Sequence, residues 1–415
     1  CLILTMQQNQ KYFALRDKNK KLMNRFLLVS QIEAKDGGEA IRSGNARVVR
    51  ARLADAKFFY DQDRLQTLES RVPGLAHVVY HNKLGTQLER SERVQKIASR
   101  IAEQIGADPA LARRAAKLAK ADLRTLMVGE FPELQGIMGE YYAHHDKEDD
   151  KVALAIREHY QPRYAGDELP STPESLAVAL ADKIETLTGL FGIGQLPTGE
   201  KDPFALRRHA LGILRMLIEK ELPLSLDKLI AIGTEEESVP GVKDATEELK
   251  QFFHDRLRVM QKDQGFTAHE VESVIGSEPA ILADVPKRLK AVHDFMSLPE
   301  AESLAAANKR IENILKKNTL PLADAVDPAL LTEKEEKDLY EAIRTLEPKL
   351  EADYKAGRYE DELRSLAPLK APVDAFFDKV MVNAEDEALR RNRLTLLNEL
   401  HKAMNQVAKL SCLAS

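Results

Sequence analysis

Apolar and polar residues follow two different patterns along this chain. Residues 1–33 contain short runs of β-forming residues, "LILTM", "KYFAL" and "RFLLVSQI", with the turn-like "RDKNKK" after the second run. Such runs between polar turns are typical of strands. From Gly44 onward, apolar residues recur at the i, i+3, i+4 spacing of helices. This spacing predicts helices over 87–105, 109–128, 132–145, 149–160, 173–190 and 203–220. The predicted fold class is therefore mainly α and multi-domain, with a small β-containing N-terminal segment.

Turn-forming stretches divide the second half of the chain. "IGTEEESVPG" and "QGFTAHE" interrupt a helical block at about 225–297, and the Pro/Asp-rich connector "LPLADAVDPALLT" interrupts the block that begins near Leu298. The last long helix is predicted to be capped by Asn383, with Glu385, Asp386 and Glu387 in its first turn. The helix dipole favours acidic residues there.

Composition narrows the class of protein. The chain has 415 residues, 44% of them apolar, which is enough for about three domains. With 61 basic and 66 acidic residues, its net charge of −5 gives no global attraction for nucleic acid, so such binding requires local patches. Two cysteines at opposite ends supply neither a disulfide framework nor a zinc spacing, which favours a cytoplasmic protein.

The two ends of the chain add two expectations. No signal peptide or 18-residue apolar run is present in the sequence, so we expect neither export nor a membrane span. Because the first residue is Cys1 and "CLILTM" looks like a strand entered midway, we expect the chain to be the C-terminal piece of a longer protein.

The stretch "FGIGQLPTGEKDPFALRR", residues 191–208, has the GxxxxG spacing of a nucleotide-binding P-loop at Gly194 and Gly199. A P-loop needs Lys and then Ser or Thr directly after the second glycine, and it follows a strand. Here Glu200 intervenes and a helical pattern precedes, so we predict a helix-to-helix connector. Asp202 is predicted to cap the next helix and Pro203 to occupy its first turn.

Two groups of residues invite a metal-site interpretation. "HHDKEDD" at 144–150 is better explained as a helix end followed by a solvated acidic turn. The helix order over about 80–220 matches the HD superfamily, in which a first His, a His-Asp pair and a distant Asp hold a divalent metal. At those places the sequence has "LERSERV", Ala121 before Asp122, and Asp182. Both metal-binding histidines are missing, so we expect a retained fold without metal chemistry.

Basic residues are the remaining candidates. Arg207 lies in an apolar stripe, where we favour pairing with Asp182 or Glu185, whereas Lys201 and Arg208 are expected to face phosphate. Two basic, Asn-bearing helices stand out, "ANKRIENILKK" at 307–317 and "ALRRNRLTLLNEL" at 388–400. Their apolar stripes leave cations on other faces, which fits phosphate contact. These cations are Lys309, Arg310, Lys316 and Lys317, with Asn313, on the first helix, and Arg390, Arg391 and Arg393 on the second.

Several long stretches carry a resemblance to a known family. They are "GEFPELQGIMGEYYA" (129–143), "YAGDELPST" (164–172, where the family has Phe at the first position), "FGIGQLPTGEKDPFALRRHALGILR" (191–215), "ANKRIENIL" (307–315) and "ALRRNRLTLLNEL". With these stretches in this order, nearly the whole chain resembles the β subunit of bacterial glycyl-tRNA synthetase.

The resemblance implies both an architecture and a division of labour. It implies four domains: the end of an α/β module similar to domains of the phenylalanyl enzyme's β chain (1–75), a degenerate HD-like domain (76–222), a helical linker or body domain (223–297) and a DALR-type anticodon-binding domain (298–415). It implies an α₂β₂ enzyme in which the β subunit grips tRNA(Gly), while ATP, Mg²⁺ and glycine bind a separate α subunit. No catalytic residue, metal ligand or cofactor is then expected on this chain, and neither a membrane nor DNA is expected as a partner.

The residues expected to bind tRNA are Lys201, Arg208, Lys309, Arg310, Asn313, Arg390, Arg391 and Arg393. Two rival functions stay open at this point. One is an HD-type metal-dependent phosphohydrolase, and the other is a helical interaction scaffold that does not bind RNA.

Overall fold

The computed structural model describes Ile3, Met6, Gln7 and residues 11–414 of the chain. The strands are β1 Phe13–Arg16, β2 Leu22–Leu27, β3 Val79–His81 and β4 Gly85–Thr86. The helices of the first half are α1 Glu39–Asp63, α2 Leu68–Arg71, α3 Gln87–Ile105, α4 Pro109–Leu118, α5 Leu126–Glu130, α6 Ile137–His145, α7 Asp150–Glu158, α8 Pro173–Gly192 and α9 Leu206–Glu219. Those of the second half are α10 Leu226–Glu235, α11 Thr246–Asp263, α12 Ala268–Ile275, α13 Val285–Phe295, α14 Ala301–Lys317, α15 Lys334–Lys355, α16 Tyr359–Arg364, α17 Lys370–Lys379 and α18 Glu387–Met404.

The chain divides into two compact units. Unit 1 comprises residues 1–216 and 227–249, and unit 2 comprises 217–226 and 250–415. Helices dominate both, and the strands form two small antiparallel sheets, β1–β2 and β3–β4, as the mainly α prediction requires. The division into four domains stays a prediction.

The centre of unit 1 is the packing of α3 against α4 and α8. Thr86 and Glu89 form a capping box at the start of α3, and Gly106, at φ 73°, ends it in the left-handed conformation that glycine adopts at low cost. Asp108 caps α4, which has Pro109 in its first turn. All residues of α8 from Glu174 to Gly192 are buried. A helix that is buried all round belongs to the centre of a large domain.

The structure confirms most predicted helices of this region and shortens several. Helices 87–105 and 173–190 correspond to α3 and α8, and 149–160 corresponds to α7. The predicted helix 109–128 is instead α4, a 3₁₀ turn at Ala121–Arg124 and α5, because Asp122 turns inward and binds backbone N–H groups elsewhere in the unit. The predicted helix 132–145 starts only at Ile137, after the 3₁₀ turn Pro132–Leu134.

The loop between α8 and α9 is a helix-to-helix connector, as predicted. The carboxylate of Asp202 accepts hydrogen bonds from the N–H groups of Leu206 (2.8 Å) and Arg207 (3.0 Å) and so caps α9. Because α9 begins at Leu206, Pro203 lies in the preceding turn and not in the first helical turn, contrary to the prediction.

The strand prediction "KYFAL" corresponds to β1, which pairs with β2 with Phe13 opposite Leu27. The prediction "RFLLVSQI" is correct only at residues 25–27, because β2 begins at Leu22 and ends at Leu27. The run "LILTM" lies largely outside the described residues. The hydroxyl of Tyr12 donates to the side chain of Asn45 at 2.6 Å, which attaches the hairpin to α1.

Unit 2 contains a helical bundle in which α14 packs against α18, and α15 packs against α17 and α18. Its core includes Leu304, Ile311, Phe376, Leu397 and Leu400, all at most 1% exposed. Helix α13 packs against α12 and α16.

The cap of α18 differs from the prediction. Asp386 caps the helix, with its carboxylate accepting from the N–H groups of Ala388 (2.8 Å) and Leu389 (3.1 Å). Asn383 lies outside the helix, so its predicted role is wrong. Aspartate and asparagine are nearly equal as caps, and only the position at which the backbone turns decides between them.

No helix within residues 11–414 is both long enough and apolar enough to cross a lipid bilayer.

Candidate nucleic-acid interface

Helix α14 presents its predicted cations to solvent. Ile311 is buried against the bundle, whereas Lys309, Arg310 and Asn313 are exposed, as the spacing predicted. The guanidinium of Arg310 lies over the ring of Phe377 at 4.2 Å, and the ammonium of Lys309 lies 3.5 Å from the carbonyl oxygen of Ala414. Neither contact neutralises a charge, so both side chains remain available to an anion.

One of the basic residues farther along α14 is neutralised by an acidic side chain. Lys316 pairs with Glu312 at 2.7 Å, and Lys409 pairs with the same carboxylate at 3.1 Å. Burial would raise the pKa of Glu312, but hydrogen bonds from Lys316, Ser411 and Lys409 lower it to about 2. Lys317 is exposed without an ion-pair partner among the described residues, so the unneutralised cations of α14 are Lys309, Arg310 and Lys317.

Helix α18 does not present its three arginines in the same way. Arg390 is half-buried and lies 3.4 Å from the carbonyl oxygen of Ala384 through Nη1. Arg391 is partly exposed, with 41% of its side chain accessible, and pairs with Glu387 at 3.0 Å. Exposed pairs of this kind contribute little to stability, so Arg391 can exchange its partner for a phosphate.

Arg393 is buried, contrary to the prediction that it lies on the outer face of the helix. Its side chain is 7% exposed and forms an ion pair with Glu336, which is completely buried. It also donates to the carbonyl oxygen of Met381 at 2.8 Å. Burial would raise the pKa of Glu336, but Arg393 and the N–H groups of Glu333 and Thr332 hold it below its usual value. Arg393 therefore connects α18 to the start of α15.

The neighbours of Arg393 have a related role that the sequence analysis missed. The side-chain amide of Asn392 accepts from the N–H of Asp327 at 2.8 Å and donates to its carbonyl oxygen at 3.0 Å. Thr395 accepts from the N–H of Ala323 at 3.1 Å. These side chains hold the Pro/Asp-rich connector against α18. The sequence feature that could have revealed this role is the "NRLT" run, which places polar residues beside the leucines of α18. Polar groups that become buried need hydrogen-bond partners.

Lys201 and Arg208 are exposed in unit 1, and neither forms an ion pair within the described part of the chain. The N–H of Lys201 donates to the carbonyl oxygen of Thr198 at 2.8 Å, which closes a tight turn around Gly199. The structure thus leaves both residues accessible, in a different unit from α14 and α18. The predicted tRNA-binding roles of all eight residues stay predictions.

The expected partners of Arg207 are occupied by other cations. Asp182 pairs with Nη1 of Arg90 at 3.1 Å, and Glu185 pairs with Nε of Arg90 at 2.7 Å and with Arg93 at 2.8 Å. The proposed pairing of Arg207 is therefore wrong, because α3 packs against α8 and supplies arginines at closer range.

This ionic cluster contains Asp182, which the expected HD pattern would make a metal ligand. Arg90 belongs to "LERSERV", the segment in which the HD pattern has its first histidine, and Lys120 adds a second cation 3.3 Å from Asp182. Burial would raise the pKa of Asp182, but Arg90 and Lys120 hold it well below its usual range. Burial lowers the pKa of Lys120 to about 8 despite the attraction of Asp182.

The second HD carboxylate is engaged elsewhere. Oδ2 of Asp122 accepts from the N–H groups of Gly136 (2.6 Å) and Gly139 (3.0 Å) at the start of α6, and burial raises the pKa of this carboxyl to about 6. Two buried cations at Asp182 repel a divalent ion, and the described residues contain no group of three His, Cys, Asp or Glu arranged to hold one. These residues do not fit a metal centre.

The stretch at 144–150 likewise has a local structural role. Asp146 accepts from the N–H of Leu68 at 2.7 Å, and Asp149 caps α7 through the N–H of Lys151 at 2.8 Å. The predicted helix end and turn are confirmed, but the acidic residues are not all solvated, since the side chain of Asp146 is 6% exposed and Glu148 pairs with Arg114 at 2.6 Å.

Comparison with known proteins now decides the family. The sequence model described as "Glycyl-tRNA synthetase beta subunit" matches residues 1–276, and the "DALR anticodon binding domain" matches residues 304–411. The chain belongs to the glycyl-tRNA synthetase β-subunit family. The second match covers both α14 and α18, so the two basic helices lie within the region that resembles an anticodon-binding domain.

Curated relatives agree with this assignment. The chain is 58% identical over 423 residues to the glycine–tRNA ligase beta subunit of Delftia acidovorans, covering 100% of this chain and 59% of that protein. It is 58% identical over 418 residues to that of Polaromonas naphthalenivorans and 56% identical over 416 residues to that of Ralstonia nicotianae, again over 100% of this chain. The chain thus spans about three fifths of the length of the curated relatives it matches.

Proposed function

We propose that this chain is the tRNA-binding part of a glycine–tRNA ligase. It binds tRNA(Gly) and positions it for glycylation at the active site of a separate α subunit, within an α₂β₂ assembly. ATP and Mg²⁺ bind that partner, which supplies the activated glycine. The observation that carries the proposal is the exposed pair Lys309 and Arg310 on α14, inside the region that matches the anticodon-binding family.

The charges of this region suit an RNA loop. The Arg310 guanidinium stacks on Phe377 within the chain, and such a planar cation can also stack on an unpaired base or pair with a phosphate. Lys309 adds charge without an acidic partner, and the partly exposed Arg391 can exchange its surface partner Glu387 for a phosphate. Phosphate contacts and stacking supply affinity, and contacts to base edges supply selectivity.

The two rival functions have weaker support. A metal-dependent phosphohydrolase requires ligands at the HD-like centre, where Arg90 and Lys120 face Asp182 instead. A scaffold without RNA binding does not require exposed, unneutralised cations, and it predicts no salt-dependent affinity for tRNA.

The test is the affinity of the chain for tRNA(Gly) as a function of salt concentration. Lys309→Ala and Arg310→Ala are each expected to weaken binding by about 1 kcal/mol, and the loss of a phosphate contact flattens the salt dependence by about one unit of slope. Lys262→Ala, which removes an exposed lysine of α11, is the matched control and leaves both quantities unchanged.

Circular dichroism verifies folding, since exposed cations contribute little to stability. Equal affinity and slope for the α14 variants and the wild type would refute the assignment of this helix. Salt-independent or undetectable binding by the wild type would favour the scaffold.

A further inference from the structure

The described residues near the start of the chain carry an unusual charge. Between residues 11 and 57 there are 12 Lys and Arg against 5 Asp and Glu, although the whole chain has a net charge of −5. We call residues 11–57, which comprise the β1–β2 hairpin and most of α1, the basic arm. Arg52 and Lys57 pair with Glu130 and Asp61, which lie outside this range, so an excess of five positive charges remains. This is a local patch of the kind that nucleic-acid binding requires in an acidic protein.

Helix α1 is exposed over most of its surface. Of its 25 residues only Val49, Ala56 and Asp63 are buried, and they follow one another at intervals of seven. The helix therefore contacts the rest of unit 1 along one narrow line. Helices that pack so little usually lie against something else or bridge solvent.

Two arginines of α1 have no counter-charge. Arg47 and Arg50 are exposed, lie one helical turn apart on the same side of α1, and form no ion pair among residues 11–414. Other cations of the helix are neutralised, for example Arg42 by Glu39 at 2.6 Å and Arg52 by Glu130 at 3.0 Å. The unpaired positive charge is thus concentrated near the middle of the helix.

The tip of the hairpin adds further unpaired charge. Asp17 is the acidic residue of the tip, and its carboxylate accepts from the N–H groups of Asn19 and Lys21, both at 2.9 Å. Because Asp17 is committed to the turn, Lys18 and Lys20 remain exposed without an ion-pair partner in the described structure. The bond from Tyr12 to Asn45 fixes the hairpin to the same helix as Arg47 and Arg50.

We propose that the basic arm is a second RNA-binding surface, in unit 1, which contacts the phosphate backbone of a double-helical stem of the tRNA. This inference rests on the proposed function, because it takes tRNA as the ligand. Charge complementarity selects RNA as the occupant, since the unpaired Arg47 and Arg50 lie in a stretch, residues 40–54, that contains no acidic residue and so match a phosphate ridge. A helix with cations one turn apart suits the regular backbone of a duplex, which proteins recognise by shape and phosphate contacts.

The experiment compares two RNAs and two double variants of the full chain. The RNAs are tRNA(Gly) and a stem-loop that carries only its anticodon arm. The variants are Arg47→Ala/Arg50→Ala and the matched control Lys96→Ala/Arg113→Ala, which removes two exposed cations of α3 and α4 in the same unit. Affinities are measured over a range of salt concentrations.

We expect Arg47→Ala/Arg50→Ala to weaken binding of the whole tRNA roughly tenfold and to flatten its salt slope by about 1.5 to 2 units. Binding of the anticodon stem-loop and the behaviour of the control stay at wild-type values. Arg47→Lys/Arg50→Lys restores most of the slope, because the slope depends on the number of neutralised phosphates and lysine carries the same positive charge. Circular dichroism confirms that the variants are folded.

The outcomes separate this inference from the proposed function. If the wild type binds neither RNA, the proposed function fails. If it binds both, and the α1 variant retains the wild-type affinity and slope for whole tRNA, the second surface alone is refuted. Binding of acidic lipid vesicles or of a partner protein through Arg47 and Arg50, with unchanged tRNA affinity, would also overturn it.

Discussion

Two neighbouring arginines of unit 2 show how position on a helix decides whether a charged residue serves structure or binding. Arg391 and Arg393 are two residues apart in the same basic run, yet one is partly exposed and the other is buried against Glu336. Helical geometry places such residues about 200° apart around the axis, so they face different surroundings. A run of arginines in sequence is therefore not one patch in space.

Arg393→Ala is expected to lower the free energy of unfolding by about 3–5 kcal/mol, because it leaves Glu336 as a buried carboxylate without its counter-charge. Urea unfolding followed by circular dichroism measures the loss. Arg391→Ala, which removes a partly exposed arginine of the same helix, is the control and changes stability by less than about 1 kcal/mol. Equal effects of the two substitutions would contradict the structural role of Arg393.

Glu362 provides a pH-dependent case. It is completely buried in α16, and neither carboxylate oxygen has a hydrogen-bond partner among the described residues. Burial raises the pKa of this carboxyl to about 8, and the attraction of Arg288 only partly opposes the shift. Between a pKa of about 4.3 in the unfolded chain and about 8 in the folded chain, only the unfolded state releases the proton. The contribution of Glu362 to stability is therefore present at low pH and is lost as the pH rises through this range.

Glu362→Gln removes the loss of stability that the ionisation of Glu362 causes as the pH rises. We expect the variant to be more stable than the wild type at pH 9, and the difference to shrink by up to about 1.4 kcal/mol per pH unit on going down towards pH 4. Thermal or urea unfolding at several pH values measures it. Glu341→Gln, which changes an exposed glutamate of α15, gives no such trend. A pH-independent difference for Glu362→Gln would mean that the carboxyl ionises normally in the folded chain.

At the scale of helices, sequence periodicity predicted α3, α7 and α8 closely, since their caps and apolar spacing are local features. It overextended the helix 109–128, because nothing local shows that Asp122 bonds to the backbone at Gly136 and Gly139. The cap of α18 was placed three residues too early for a different reason, because Asn383 and Asp386 are nearly equal as caps and only the position of the backbone turn decides between them. Helix boundaries that depend on a bond to a residue distant in sequence cannot be predicted from the local pattern.

The residues of the candidate site also differ in how well the sequence predicted their surroundings. The absence of the two histidines was evident from sequence, but the cations that pair with Asp182 were not. The packing of α3 on α8 brings Arg90 to this carboxylate, and Lys120 comes from the turn after α4. On α14 the exposed cations were predicted correctly, since one apolar stripe fixes the opposite face. On α18, Asn392 and Thr395 of the run "NRLT" bind the Pro/Asp-rich connector, so a second face of this helix is buried. The apolar stripe alone could not reveal that face.

At the scale of the whole chain, each of the two compact units has its own core and its own buried ion pairs. Units of this size commonly unfold as separate cooperative transitions. Asp182 in unit 1 and Glu336 in unit 2 share no partner, so substitutions at the two sites should act independently.

Hydrogen exchange read by mass spectrometry tests this independence directly, because its peptides report each unit separately and the chain contains no tryptophan to serve as a fluorescent probe. Asp182→Ala leaves Lys120 and part of the charge of Arg90 uncompensated, so it is expected to cost about 3–5 kcal/mol and to raise exchange in peptides of α3, α4 and α8. Arg393→Ala is expected to raise exchange in α14, α15 and α18 instead. The double variant should show both effects at their single-variant sizes, within about 0.5 kcal/mol. If either substitution accelerated exchange equally throughout both units, the chain would unfold as one cooperative structure. In that case the ion pair at Asp182 in unit 1 would also stabilise the bundle of unit 2, which carries the basic helices.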